Sequence, residues 1–149
     1  MIRPNRNTFY LFMILWFGFF VTACNKQTQN TSQNPVPSVP VNLSFYPNDP
    51  AYFKIQTIGG WMYVDGGING LVLYRLSNEQ FLAFERTSTQ LPDNPAAKAF
   101  VQKDNFTLRD TVSGSEWRII DGIVTKNPAT WPLRQYGTNY DGNLLKIIN

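Results

Sequence analysis

The sequence predicts an all-β domain over residues 41–149, built of small antiparallel sheets that stack into a barrel-like body. Short runs of alternating apolar and polar residues recur between turns that contain glycine and proline, which is typical of antiparallel strands. No segment after Cys24 keeps a 3.6-residue apolar period long enough for an amphipathic helix. A stretch of about 109 residues is enough for one domain with a modest core.

The first 24 residues carry the features of a secretory signal. Arg3 and Arg6 precede an apolar run from Phe9 to Val21, which is shorter than the about 20 residues of a membrane-spanning helix. The following Val-Thr-Ala-Cys24 resembles the lipobox of bacterial lipoproteins. This resemblance implies that a signal peptide of residues 1–23 is removed and that Cys24 is acylated, which would anchor the chain to a membrane. The alternative is an ordinary cleaved signal with an incidental cysteine.

The residues after the cysteine bear on localisation. Many lipoproteins that stay at the inner membrane carry aspartate after the lipidated cysteine, whereas this chain has Asn25. The resemblance therefore implies a lipid-anchored protein of the cell envelope, at the outer membrane and facing the periplasm. Residues 24–40 are polar and then rich in proline, and such a segment buries too little apolar surface to offset its ordering entropy. They are predicted to form a lipidated, disordered tether.

The charge of the mature chain argues against nucleic acid as a partner. The calculated isoelectric point of 9.1 includes Arg3 and Arg6. Without these two of the thirteen basic residues, eleven Lys and Arg face ten Asp and Glu. The basic residues are scattered singly and form no patch of the kind that phosphate backbones require. The expected partners are therefore the membrane, through Cys24, and a protein of the envelope.

In the first half of the domain, alternation and turn residues predict five strands: Val41–Phe45, Tyr52–Ile58, Trp61–Val64, Leu71–Leu76 and Phe81–Arg86. The glycine-rich loop Asp65–Gly70 lies between two of these strands. Phosphate-binding loops precede a helix, so turn formation is the favoured role of this loop. The loop also has too few carboxylates and the wrong spacing for an EF-hand calcium site.

In the second half, two short strands flank the turn Ser113–Ser115. The turn Asp121-Gly122, another short strand and the loop Pro128–Leu133 follow. A final hairpin is predicted from Arg134–Thr138 and Leu144–Ile148, because Asp-Gly suits a type I′ turn. Four apolar residues of its last strand are expected in the core: Leu144, Leu145, Ile147 and Ile148.

These motifs resemble the Rieske [2Fe–2S] domain. In the second half of that domain a Cys-x-x-His pair precedes Gly-Ser and an aromatic residue, then a glycine turn and a Gly-Pro-Ala…Pro-Leu loop. Gly114-Ser115-x-Trp117, Asp121-Gly122 and Asn127–Leu133 match this order. The run from Gly59 to Arg86 resembles the opening strands of the same fold, in a branch found in bacterial lipoproteins. The resemblance extends from Tyr52 to the C-terminus and implies a Rieske-like fold with Trp117 inside it.

The ligands of the cluster are not retained in this chain. Two cysteines and two histidines hold a Rieske cluster, and the resemblance places the equivalent positions at Ser88, Gln90, Asp110 and Ser113. The chain has no histidine, and its one cysteine is Cys24. These four residues are therefore expected to be degenerate cluster-ligand positions, with no cofactor and no metal. Asp110 is expected at the surface, or bonded to nearby amides or to Arg109.

The same composition excludes most catalytic sites. Without histidine or a second cysteine the chain cannot form a Ser-His-Asp triad, a Cys-His pair or a Cys/His zinc site. The domain is therefore expected to be non-enzymatic, with a role in binding or assembly. Two alternatives are an electron-transfer protein of the [2Fe–2S] family and a glycan- or ligand-binding module with exposed aromatics such as Trp117 or Trp131.

Overall fold

The computed structural model describes residues 34–149, which belong to one compact unit. It contains ten short strands and one 3₁₀ helix. In chain order they are β1 (Asn42–Phe45), the 3₁₀ helix (Pro50–Ile55), β2 (Trp61–Val64), β3 (Leu71–Arg75), β4 (Phe81–Glu85), β5 (Ala99–Val101), β6 (Thr107–Asp110), β7 (Glu116–Arg118), β8 (Val124–Lys126), β9 (Gln135–Tyr140) and β10 (Leu145–Ile148).

The strands form two antiparallel sheets. The larger sheet has the order β1-β10-β9-β4-β3-β2, and the smaller sheet has the order β5-β6-β7-β8. Pairing of Ala83 with Tyr136 and of Phe84 with Gln135 joins the first hairpin to the C-terminal one. Strands β1 and β2 are the two edges of the larger sheet, and both line one groove. The larger sheet therefore curves back toward itself like an unclosed barrel.

Two hydrophobic cores follow from the alternation of side chains along the central strands. On β3, Leu71 and Leu73 face the core inside the larger sheet, whereas Val72 faces the core shared with the smaller sheet. On β4, Ala83 faces the core inside the larger sheet, and Phe84 faces the core shared with the smaller sheet. Strands that are buried on both faces have nearly continuous apolar sequences. Both cores lie within residues 34–149, so this part of the chain is expected to fold on its own.

One predicted strand is wrong. Residues 50–55, predicted as part of a strand from Tyr52 to Ile58, form the 3₁₀ helix. Pro50 suits the first helical position, and the Asp49 side chain caps the helix by accepting a hydrogen bond from Ala51 N at 2.8 Å. Ile55 is fully buried at the end of the helix. Tyr52 and Ile55 pack this short helix against the core, whereas Phe53 and Ile58 are exposed.

The segment before β1 also differs from the prediction. Residues 34–40, predicted as the end of the tether, pack against the domain, and Val36 is fully buried. Arg134 Nε donates to Val36 O at 2.7 Å, and Asn34 Nδ2 donates to Pro132 O at 2.8 Å. The structure therefore places residues 34–40 on the domain rather than in the predicted tether, because Val36 is buried and the segment exchanges hydrogen bonds with Pro132 and Arg134.

The N-terminal predictions fall outside the described residues. The signal peptide of residues 1–23, the lipidated Cys24 and the tether up to residue 33 all precede Asn34. Within residues 34–149 no helix is long and apolar enough to cross a membrane.

Candidate functional site

The four degenerate ligand positions lie on two loops at one end of the smaller sheet. Ser88 and Gln90 follow β4 on the connection to β5, and this connection is paired to itself by the bridge between Thr87 and Lys98. Asp110 ends β6, and Ser113 lies in the turn before β7. The fold therefore places these residues on a pair of loops, as the sequence resemblance implies.

Asp110 is fully buried, and of the two environments expected for it the observed one is bonding to nearby groups rather than a surface position. One carboxylate oxygen accepts from Val112 N at 2.9 Å, and the other accepts from the Ser113 hydroxyl at 2.5 Å. Arg109 points instead toward Glu116, with Nε 3.6 Å from the carboxylate. Bonds to charged acceptors are the strong ones, so the turn satisfies the buried charge by itself.

The hydrogen-bond network continues from Ser113 into a third loop. Ser115 Oγ lies 2.9 Å from Ser113 Oγ, and it accepts from Ala129 N at 3.0 Å. Because the Ser113 hydroxyl uses its one hydrogen in the bond to Asp110, the Ser115 hydroxyl is the donor in the bond between the two serines. The chain Asp110–Ser113–Ser115 therefore connects the turn before β7 to the loop of residues 127–133.

The carbonyl of Trp131 joins the loop of Ser88 and Gln90 to strand β7. It accepts from Thr89 Oγ1 at 2.7 Å and from Trp117 Nε1 at 3.0 Å. Thr89 lies between Ser88 and Gln90, and Trp117 is on β7. Two hydrogen bonds thus connect the loop after β4, the loop of residues 127–133 and strand β7.

Ser88 and Gln90 do not take part in this network. Ser88 N donates to Ala97 O at 2.9 Å, but its fully buried hydroxyl has no partner within the described residues. Gln90 is only partly buried. Asp110 and Ser113 are therefore joined by a direct hydrogen bond, whereas Ser88 and Gln90 take no part in it.

These residues do not fit a [2Fe–2S] cluster. Such clusters need soft thiolate donors, with imidazole as the Rieske substitute. Residues 34–149 contain no cysteine and no histidine. No group of three or more Cys, His, Asp or Glu side chains in this part of the chain is arranged to hold a metal ion. Both oxygens of Asp110 are already bonded within its own turn.

The aromatic residues suggested for ligand binding are not equivalent in the structure. Trp117 is fully buried in the core beneath the smaller sheet, so the implied interior position is confirmed and a role as an exposed platform is wrong. Trp131 is half-buried, and its carbonyl is the acceptor described above. Trp117 therefore offers no open ring face for stacking on a sugar, whereas Trp131 keeps part of its surface exposed.

Sequence reasoning missed a second polar cluster, centred on Glu85. This carboxylate is fully buried at the end of β4. The backbone N–H groups of Ile68 and Asn69 donate to it at 2.8 and 2.9 Å. The glycine-rich loop therefore does surround an anion, but that anion is a side chain of the protein itself. A Cβ on Gly67 would collide with the Glu85 carboxylate, and Gly67 has φ +64°, so this position requires glycine.

Three further hydrogen bonds complete the Glu85 cluster. Thr87 donates through its backbone N at 3.1 Å and its hydroxyl at 2.9 Å, and the Tyr136 hydroxyl donates at 3.2 Å. One signal in the sequence could have revealed this cluster. Phe81, Ala83 and Glu85 share one face of a strand, and the first two are core residues. A carboxylate on that face must be buried and therefore hydrogen-bonded.

This environment predicts an alkaline pH dependence of stability. Burial, and then the nearby charge of Glu85 and the hydrogen bond to it, raise the pKa of Tyr136 to about 12. An unfolded tyrosine has a pKa of about 10. The stability that this group contributes is therefore complete below about pH 10 and is lost as the pH rises to about 12.

The matched variant is Tyr136→Phe, which cannot ionise. Between pH 9 and pH 12 the wild-type free energy of unfolding should fall by about 2–3 kcal/mol more than that of the variant. Urea unfolding at a series of pH values measures this difference. Parallel curves for the two proteins would contradict the role assigned to Tyr136.

Comparisons with known proteins bear on the fold. No family model matches the chain, and neither does any curated protein. One similar solved structure is described as the complex of reduced oxygenase and oxidized ferredoxin in carbazole 1,9a-dioxygenase; it is 21% identical over 72% of this chain and 93% of that chain, with a TM-score of 0.49. Another is the ferredoxin of carbazole 1,9a-dioxygenase from Nocardioides aromaticivorans IC177, 15% identical over 74% and 98%, with a TM-score of 0.48. The likeness concerns the fold alone, and the predicted all-β class of small stacked antiparallel sheets is confirmed by the strand order.

Proposed function

We propose that this protein is a lipid-anchored protein of the cell envelope whose Rieske-like domain carries no cluster and acts by binding rather than by catalysis. The observation that supports this most is the Asp110–Ser113–Ser115 chain of hydrogen bonds. A metal ligand must present a free lone pair to the metal, whereas these side chains are bonded to one another and to backbone amides. Their role in this proposal is to hold the loops.

The first test is the metal content of the protein. Residues 34–149, expressed in iron-replete cells, should be colourless and contain no stoichiometric iron or sulfide, because no thiolate or imidazole is present. The melting temperature should be the same with and without a chelator, since hydrogen bonds through Trp131 O join the loops. Visible absorbance, metal analysis and thermal melts measure these quantities. Stoichiometric iron with a chelator-sensitive melt would refute the proposal.

Electron transfer is the alternative function, and the same measurement decides between the two. A cluster in this domain would need ligands from outside residues 34–149, and the one cysteine of the chain is Cys24. One thiolate cannot replace the two thiolates and two imidazoles that hold a Rieske cluster. Binding therefore remains the better-supported role, with a protein of the envelope as the proposed partner and without a role for nucleic acid.

The second test concerns the anchor. In the full chain, Cys24→Ser should abolish labelling by a radioactive or clickable fatty acid and leave an unprocessed precursor, because the lipobox cysteine is the acylated residue. The matched control is Thr22→Ser, which keeps the cysteine and should label normally. Labelling with fatty acid, followed by gel electrophoresis and mass spectrometry of the N-terminus, measures both. Normal labelling of Cys24→Ser would contradict the proposed lipid anchor.

A further inference from the structure

A groove lies at the seam of the unclosed larger sheet. Its walls come from the two edge strands, with Leu43 and Phe45 on β1 and with Met62 and Tyr63 on β2. These strands are not paired with each other. The groove has a volume of about 730 Å³, and small-molecule sites typically enclose about 300–1,000 Å³. The seam is therefore large enough for a small organic molecule.

Arg86 presents a fixed guanidinium to this groove. The group stacks over the ring of Tyr63 at 3.9 Å and over the ring of Phe100 at 4.7 Å. Its Nε donates to Ala99 O at 3.1 Å, which sets the orientation of the plane. A guanidinium held in this way loses little entropy when its terminal nitrogens bind an oxyanion in a bidentate manner.

Neither cation of the groove is paired with a carboxylate within 4 Å in the described part of the chain, and the more distant Glu85 only partly offsets the burial that lowers the pKa of Arg86. None of the ion pairs within residues 34–149 includes Arg86 or Lys98, the second basic residue of the lining. Asp65 also lines the groove but lies more than 4 Å from both. Burial lowers the pKa of Arg86, which is the effect of removing water from a cation.

Anion recognition in this groove would depend on side chains and not on the glycine-rich loop. The N–H groups of Ile68 and Asn69 already donate to Glu85, on the inner side of the loop. A ligand anion would therefore meet Arg86 and Lys98, while its apolar part would face Leu43, Phe45 and Met62. The lining thus offers both polar and apolar surface, as an amphiphilic ligand requires.

We propose that the seam groove binds a small amphiphilic anion, with a carboxylate or phosphate on Arg86 and Lys98 and with an apolar chain against Leu43, Phe45 and Met62. This inference deepens the binding role proposed above and rests on it for the class of function. Arg86 and Lys98 flank the loop of Ser88 and Gln90, but the proposed site uses none of the four cluster-ligand positions and does not use Cys24.

The experiment titrates ¹⁵N-labelled residues 34–149 with four probes: octanoate, octyl phosphate, inorganic phosphate and the neutral octyl glucoside. The two amphiphilic anions should shift the amide resonances of Tyr63, Gly66 and Gly70 in a saturable way. Inorganic phosphate and octyl glucoside should bind at least about tenfold more weakly, because each lacks one of the two interactions. The tighter of the two anions identifies the head group as carboxylate or phosphate.

Variants separate the site from non-specific binding. Arg86→Gln should weaken the tighter anion by about 10- to 100-fold, the range of a hydrogen bond to a charged group. Lys98→Gln should weaken it by a smaller factor, and it keeps the test valid if Arg86→Gln fails to fold. Lys126→Gln, an exposed residue on β8, is the matched control and should bind as the wild type does.

The proposal is overturned if no probe gives saturable shifts at the groove, if octyl glucoside binds as tightly as the anions, or if Lys98→Gln and Arg86→Gln both keep wild-type affinity. Failure of the titration would leave the cluster-free assignment intact, because iron content is measured separately. Iron-loaded protein would refute that assignment without changing the titration.

Discussion

Replacing Glu85 with alanine is expected to lower the free energy of unfolding by about 3–5 kcal/mol. Five hydrogen-bond donors lose their common acceptor in this variant: Ile68 N, Asn69 N, Thr87 N, Thr87 Oγ1 and the Tyr136 hydroxyl. A buried donor without a partner costs about 1–3 kcal/mol, and water entering the vacated space recovers part of that cost. The glycine-rich loop should loosen first, because two of its amides depend on this carboxylate.

Urea unfolding monitored by tryptophan fluorescence measures the change. Glu79→Ala is the matched control, because Glu79 is exposed in the turn between β3 and β4 and should change stability by less than about 0.5 kcal/mol. Glu85→Gln should fall between the two, since one amide oxygen still accepts while the amide N–H₂ faces donors. A Glu85→Ala protein within about 1 kcal/mol of wild type would contradict the role assigned to this cluster.

Much of the strand order could be predicted because alternation and turn residues are local signals. Trp61–Val64 has the predicted bounds, and β3 and β4 are each one residue shorter than predicted at the C-terminal end. The 3₁₀ helix was missed because a proline and a capping aspartate outweighed the apolar pattern of residues 52–55. Strand β5 has three residues, too few to show a period.

The alternation of side chains along a strand also corrects the predicted core of β10. All four apolar residues near the C-terminus were expected inside, but only Leu145 and Ile147 are fully buried, whereas Ile148 is 47% exposed. Successive side chains of a strand point to opposite faces, so neighbours cannot both face the same core. The apolar residues indicated that a strand is present, and the alternation of side chains along it decides which of them face the core.

The candidate site was predictable in its positions but not in its contacts. The Gly-Ser-aromatic motif placed Asp110 and Ser113 on one turn, and a bond between residues three apart is a local feature. In the cluster around Glu85, the bond from Tyr136 to Glu85 joins residues 51 positions apart in sequence. Such contacts depend on the pairing of β4 with β9 and on the path of the glycine-rich loop, and neither is specified by a local pattern.

Replacing Trp117 with alanine should lower the free energy of unfolding by about 3–5 kcal/mol, the usual cost of removing a large buried aromatic. This ring is fully buried in the core beneath the smaller sheet, and its Nε1 donates to Trp131 O at 3.0 Å. The loss should be greatest near the loop of residues 127–133, so that hydrogen exchange at Ala129 N becomes faster together with the fall in stability.

The matched pair Trp117→Phe and Trp61→Phe separates packing from hydrogen bonding. Each variant keeps an aromatic ring and loses one indole N–H bond, to Trp131 O or to the Asn105 side chain. Trp117→Phe should cost more than Trp61→Phe, because water can replace the exposed bond to Asn105 but not the bond made by the buried indole. Chemical denaturation measures all three variants. If Trp117→Ala remained within about 1 kcal/mol of wild type, the indole would not be a core side chain, and an exposed aromatic ligand site at β7 would have to be considered again.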